Sequence, residues 1–260
     1  MSCIIEADLV PVLVYHVIRV GRNPWERRYF IAPSRFENHV RALRAADYYL
    51  YSLTDFRAWA TDQGELRANA VLLTFDDRYA GVSEHAYPLL PNKAIPLAAF
   101  VISSAIGATD AWMRNADPEH TAYPPVSRGQ LEELARAGAG LGSHSRRHAD
   151  LATLGADTLR DEVCGSHAEL EGVLGQKIDC CAYPYGRLND AVRATAAEAG
   201  YACAFSTRSG FNRTREDPLL ILRIHVYGTD TAGALLRELR LGANDGARRA
   251  FARGGLAVWR

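Results

Sequence analysis

Continuous apolar, β-prone runs recur along the chain, and between them apolar positions return every three or four residues. Residues 9–15, 71–75, 96–102, 178–183, 201–206 and 220–226 read as buried strands rich in apolar and aromatic residues, and residues 139–143 as a short strand leading into His144. Helical patterns lie between them, over residues 34–46, 80–90, 128–137, 157–174, 190–199 and 231–241. Ser34-Arg35-Phe36-Glu37 and Ser127-Arg128-Gly129-Gln130 have capping-box spacing, Thr54-Asp55 predicts the start of a further short helix, and Gly175 and Gly200 are placed as C-terminal stops. Strands alternating with helices predict parallel βαβ units. Seven strand candidates fit a distorted or incomplete (β/α) barrel better than an open sheet.

Two connections stand out, residues 20–33 and 107–126, the second carrying Trp112, Met113 and Tyr123. Connections of that length in a compact domain often carry function. The polar residues that interrupt the apolar pattern fall together on the predicted barrel. His16, Asp76-Asp77, His144, Pro184-Tyr185 and His225 all lie at or within a residue or two of a strand's C-terminal end, where barrel enzymes build their sites.

Length and composition narrow the class. A chain of 260 residues with 48% hydrophobic and 23% charged residues can bury a substantial core, and residues 1–260 are expected to form a single catalytic domain with no repeat or linker. Lys plus Arg and Asp plus Glu both number 30, which argues against nucleic acid as the main partner. The five cysteines have neither C-x-x-C spacing nor an even count, so reduced, mostly buried thiols are expected rather than a disulfide or zinc framework. No stretch approaches membrane-spanning length, and Glu6 and Asp8 interrupt the N-terminal apolar residues. The expectation is a cytoplasmic protein without a signal peptide; oligomeric state is left open.

Two adjacent carboxylates at the end of a buried strand require a cation beside them, because like charges so close raise at least one pKa. Ser143-His144-Ser145-Arg146-Arg147-His148 offers the complement: Asp77, His144 and His148 form an Asp-His-His set that leaves positions open on a divalent ion, as in hydrolytic zinc sites. Asp76, free of the ion, is then a candidate general base, and His16 and His225 are both candidate general acids. The backbone N–H of Tyr185, and the ring of Trp112, are candidates for holding substrate. On these residues alone, an acidic turn after a strand and two solvated histidines in a basic loop remain the structural alternative.

Thr74-Phe75-Asp76-Asp77, Ser143 to His148 and Ala182-Tyr183-Pro184-Tyr185-Gly186, in this order, resemble the polysaccharide deacetylases, carbohydrate esterase family four. The opening Val10-Pro11-Val12-Leu13-Val14-Tyr15-His16 is similar to the exopolysaccharide branch, and the resemblance covers roughly residues 9–228. It implies a distorted (β/α) barrel, a zinc-like divalent ion and removal of an N-acetyl group from an amino sugar in a polysaccharide, oligosaccharide or sugar intermediate. By position it makes Asp76 the base, Asp77, His144 and His148 the metal ligands, and Tyr185 the oxyanion support. In the Tyr-His branch the acid histidine is permuted to the N-terminus, which favours His16, whereas Leu222-Arg223-Ile224-His225 resembles the usual late motif and makes His225 the rival. Three features depart from the pattern. Arg78 replaces a glycine, Ala182 replaces an arginine, and the Asp-x-x-Asp/Ser-Trp segment is missing; the lost arginine and aspartate orient the base in many members. Two alternatives follow, another amide hydrolase of the same fold acting on a formamide or ureide, and an inactive carbohydrate-binding pseudoenzyme.

Overall fold

In the computed structural model, residues 9–77, 81–89, 97–107 and 126–243 are described. The apolar runs become short, buried strands: β1 (Val12–Tyr15), β2 (Val17–Ile18), β3 (Phe30–Ile31), β4 (Tyr49–Tyr51), β5 (Ala70–Phe75), β6 (Ala98–Val101), β7 (Gly140–Ser143), β8 (Cys180–Ala182), β9 (Cys203–Phe205) and β10 (Ile224–His225). Seven of them run in the order β10-β1-β5-β6-β7-β8-β9, with β4 paired alongside β5, and every pairing is parallel. The sheet curls into a half-barrel with helices around it, which is the distorted (β/α) barrel expected from the alternating pattern.

Side-chain alternation divides the core into two layers. Leu13, Tyr15, Leu73, Phe75, Val101, Tyr183 and Ile224 face the surrounding helices and pack with Phe36, Val40, Leu131, Leu170, Val192 and Leu235. Val12, Leu72, Ala98, Phe100, Cys180, Cys203 and Phe205 turn inward, where Phe56 and Trp59 of the helix Leu53–Ala60 join them. The interior is therefore filled with side chains, and the inward parity carries on to Thr74 and Asp76 along β5, and to Arg223 and His225 at β10. Cys180, Cys181 and Cys203 are buried free thiols, as expected.

The elements that escaped the pattern are short. β4, β2 and β3 have two or three residues each, too few for a period to register, and the helix Pro24–Tyr29 fills the middle of what reads as a loop. Two expected caps are displaced. The helix Pro33–Ala45 has Ala32 at its N-cap and no side-chain cap from Ser34, because Pro33, with its fixed φ and no N–H to satisfy, starts the helix two residues earlier than a Ser34 cap would. Ser52 rather than Thr54 caps Leu53–Ala60, its Oγ accepting from Asp55 N at 3.0 Å. The second capping box, Ser127 with Gln130, forms as expected. The long pattern at 157–174 is continuous but contains a wider turn, Asp161–Gly165, between Ala156–Arg160 and Ser166–Leu174. No helix among the described residues is long and apolar enough to cross a membrane. Arg78, Trp112, Met113 and Tyr123 lie outside the described residues.

Gly142 illustrates how tightly the strands meet. A Cβ there would lie 2.6 Å from the Phe100 ring and 2.7 Å from the Cys180 carbonyl oxygen, so a side chain must displace either an aromatic or a neighbouring strand. Gly142→Ala is expected to destabilise the protein by about 1–3 kcal/mol, the usual penalty of overpacking, as a lowered urea midpoint; an unchanged midpoint would show that the strands can separate without cost.

Candidate active site

The described candidate residues sit at the C-terminal end of the curled sheet. Asp76 and Asp77 follow β5, His144 follows β7, His16 follows β1, and His225 ends β10. Both carboxylates and the histidines of the central cluster are buried, with Asp76 at 4%, Asp77 at 8%, His144 at 2% and His148 at 6% exposure. Their side chains line one cleft of about 530 Å³, together with His16, His225 and Tyr185. That volume is within the range of about 300–1,000 Å³ typical of small-molecule sites.

Asp77, His144 and His148 converge. Asp77 Oδ1 is 3.7 Å from His144 Nε2 and 3.5 Å from His148 Nε2, and one ligand atom from each of the three lies within 4.8 Å of the others. Ligands about 2.1 Å from a tetrahedral ion stand roughly 3.4 Å apart, so these separations suit a divalent cation of zinc's size. The chemistry of the donors fits as well. His144 Nδ1 lies 2.8 Å from the Ala182 carbonyl oxygen, which can only accept, so Nδ1 carries the proton and Nε2 presents its lone pair. Burial lowers the His144 pKa against the opposing pull of Asp76, which keeps the ring in the neutral, ligating form.

The neighbouring carboxylate is held in a different way. Arg223, wholly buried, donates from Nη1 to Asp76 Oδ1 and from Nη2 to Asp76 Oδ2, both at 2.7 Å. The same guanidinium donates from Nε to the Ser206 carbonyl at 2.7 Å and from Nη1 to Thr74 Oγ1 at 3.2 Å, and its carbon lies 5.8 Å and 5.9 Å from the ring centres of Phe100 and Phe205. Burial alone would raise the Asp76 pKa; Arg223, with smaller help from His144 and His16, overrides it and holds the carboxyl well below the usual carboxylate range. Position 182, where the family pattern has an orienting arginine, is alanine. Arg223 supplies the guanidinium from a different strand end, and the signal for it was an arginine two residues before His225 with inward parity.

The two candidate acids are neighbours. The His16 and His225 rings lie nearly parallel, 16° apart, with centres at 5.8 Å; Tyr227 stacks on the far side of His225 at 6.0 Å, and Tyr29 meets His16 edge-on at 5.8 Å. Burial lowers the His16 pKa to about 4, with Asp76 pulling the other way. Burial, then the charges of His16 and Arg223, lower that of His225 to about 3. Both rings are neutral near pH 7.

Backbone conformation sets much of this geometry. Asp77, Ser145, His148 and Tyr185 have φ of 69°, 61°, 60° and 58°, the left-handed region that costs a residue other than glycine about 1–2 kcal/mol. Such conformations gather where surrounding structure over-determines the chain, as at active sites. Tyr185 is held from both sides: Thr207 Oγ1 donates to its carbonyl at 3.1 Å, and Gly186, at φ 65°, leaves no space for a Cβ against Thr207. The Tyr185 side chain is 47% exposed, and its ring stands edge-on to His148 at 4.7 Å. Two residues at the rim had no sequence signal, Arg187 and Asp150, which pair through Nη1 and Oδ2. Trp25 packs on Tyr29 at 5.1 Å while also lining the cleft.

Comparison with known proteins gives a consistent family. The chain is 25% identical over 201 residues to YxkH of Bacillus subtilis, covering 77% of this chain and 65% of that protein. It is also 25% identical over 191 residues to the poly-beta-1,6-N-acetyl-D-glucosamine N-deacetylase of Staphylococcus aureus, covering 69% of this chain and 62% of that protein. It thus spans a little under two thirds of the length of both curated relatives. In fold it is similar to the Streptococcus pyogenes deacetylase PplD, with TM-score 0.74, 24% identity, and coverage of 89% of this chain and 98% of that one. IcaB from Ammonifex degensii superposes with TM-score 0.76 at 22% identity, over 90% of this chain and 97% of that one. The family model described as polysaccharide deacetylase matches residues 63–204, more than half of the sequence and the part that carries Asp76, Asp77, His144, His148 and Tyr185. This chain therefore belongs to the polysaccharide deacetylase family.

Proposed function

We propose that this protein is a metal-dependent hydrolase that removes the N-acetyl group from an amino sugar. The observation that carries the reading is the division of labour between adjacent carboxylates: Asp77 Oδ1 faces two imidazole nitrogens, while both oxygens of Asp76 are taken up by Arg223. The family membership, and a curated relative named as an N-deacetylase of a poly-N-acetylglucosamine, support the choice of bond and sugar.

Asp77, His144 and His148 would hold a divalent ion, zinc by donor type. When bound, that ion supplies Lewis acidity toward water and toward the amide carbonyl oxygen. Asp76 accepts the proton of the attacking water; fixed by Arg223 as the anion, it needs no reorientation to do so. The carbonyl oxygen gains charge as water adds, and the Tyr185 backbone N–H supports it. The C–N bond then breaks, a proton goes to the leaving amine from a histidine, and acetate and the free amino sugar are released.

His16 is the better placed of the two histidines for that last transfer. Asp76 is the strongest charge acting on the titration of His16, whereas on His225 it ranks behind His16 and Arg223, and this supports His16 as the donor. A neutral resting His16 takes up the proton that Asp76 has removed from water, as charge developing on the substrate raises the imidazole's proton affinity, and passes it to the leaving nitrogen. His225 stacks behind it as a positioning partner.

Acetate release from N-acetylglucosamine oligomers by the zinc-loaded protein tests the reading. Asp76→Asn is expected to lower the rate by about 10²–10⁴-fold, the range for loss of a general base, with metal content unchanged by elemental analysis. Turnover at the wild-type rate by that variant, or no acetate from the metal-loaded wild type on any N-acetylated sugar, overturns it. A separate comparison addresses the acid: His16→Ala is expected to lose more rate than His225→Ala, and the reverse order in steady-state kinetics would transfer the role to His225.

A further inference from the structure

The loop that carries both imidazoles is clasped from outside the cleft by one buried acid. Glu162, 1% exposed, lies in the wide turn Asp161–Gly165 that interrupts the helical stretch 156–174. Its Oε2 accepts from the backbone N–H groups of Arg146 at 3.1 Å and Arg147 at 2.8 Å, its Oε1 accepts from Arg147 Nε at 2.7 Å, and its own carbonyl accepts from Arg146 N at 3.1 Å. On the other face of the loop, the Ser145 and Arg146 carbonyls accept from Ser103 N and Ser104 N at 3.2 and 3.1 Å. In the loop between His144 and His148, the Arg146 and Arg147 N–H groups are therefore gathered on one carboxylate and the Ser145 and Arg146 carbonyls on a neighbouring turn.

This clasp answers a specific need. Ser145 and His148 both adopt left-handed φ, 61° and 60°, in the loop that carries the imidazole of His148 to 3.5 Å from Asp77. Successive N–H groups pointing to one side of a loop form a concave donor site that binds an anion. Here the chain supplies the anion itself. Turns with i→i+5 bonding inside helices are rare and cluster at functional sites, and this one sets Glu162 and Val163 side by side in the interior.

We propose that Glu162 is a positioning residue for the metal centre: by binding the Arg146 and Arg147 backbone N–H groups it fixes the Ser145–His148 conformation and so sets the affinity for the divalent ion. The inference rests on the metal-dependent reading above. Asp161 provides the contrast, because it pairs with the Arg146 and Arg147 side chains at 2.6 Å but touches none of the loop's backbone donors.

The test measures Zn²⁺ affinity by competition with a chromogenic chelator, with far-UV circular dichroism and thermal unfolding in EDTA as a check on folding. Glu162→Ala is expected to weaken Zn²⁺ binding by about 10–100-fold, the usual effect of losing a group that orients ligands, while Asp161→Ala stays within about twofold of wild type. Should Glu162→Ala fail to fold, Glu162→Gln keeps the volume and one acceptor and is expected to weaken binding by several-fold. Wild-type affinity in a folded Glu162→Ala or Glu162→Gln, or an equal loss in Asp161→Ala, overturns the proposal. Failure of the underlying reading looks different: the wild type itself would bind no Zn²⁺ that Asp77→Ala abolishes.

Discussion

The bidentate pair between Asp76 and Arg223 is the contact on which the rest of the site depends. It joins the ends of β5 and β10, the two strands that flank β1, through the barrel interior, while Arg223 Nε reaches the Ser206 carbonyl just past β9. Removing one partner of such a buried pair typically costs about 3–5 kcal/mol, because a charge is left without compensation. Here every donor direction used by Arg223 has an acceptor, and two aromatic rings flank it, which are the conditions under which burying a guanidinium is tolerable. The pair also gives two adjacent acids opposite tasks: Asp76 is neutralised by an arginine, and Asp77 faces imidazoles.

The half-barrel makes this possible by simple alternation. Leu72, Thr74 and Asp76 lie on one face of β5 and its extension, so the interior passes from apolar packing to polar contact within five residues. Arg223 and His225 do the same from β10, and His16 continues the inward face of β1 past Val14. Below them Phe56, Trp59, Phe100 and Phe205 fill the barrel, which keeps water away from the Asp76 carboxylate on all sides but the cleft. A polar site is thus built as the upper layer of a hydrophobic core, and its low-dielectric floor lowers the pKa of both His16 and His225.

Much of this was legible in the sequence because strands with two covered faces announce themselves as unbroken apolar runs, and polar residues at their ends stand out. The Asp-His-His set could be read from residue type and order, and the structure brings the three together as the spacing implied. What was illegible was of another kind. A strand of two or three residues such as β4 has no period, a proline at the first position of a helix can pre-empt a serine cap, and no local pattern gives away a left-handed φ at Ser145 or His148. Arg223 is the instructive case: position 182 carries alanine, and a guanidinium is long enough to reach Asp76 from the start of β10 instead, which no motif spacing announces. Glu162 was hidden for a related reason, since an extra residue in a helical turn changes which side chains face inward without altering composition.

Anomalous diffraction from crystals grown with zinc tests the centre of this account most directly. The expected result is one peak at full occupancy about 2.0–2.2 Å from Asp77 Oδ1, His144 Nε2 and His148 Nε2, with Asp76 still in its two-pronged contact with Arg223. A peak that takes Asp76 as a ligand in place of Asp77, or none among these side chains, would contradict it.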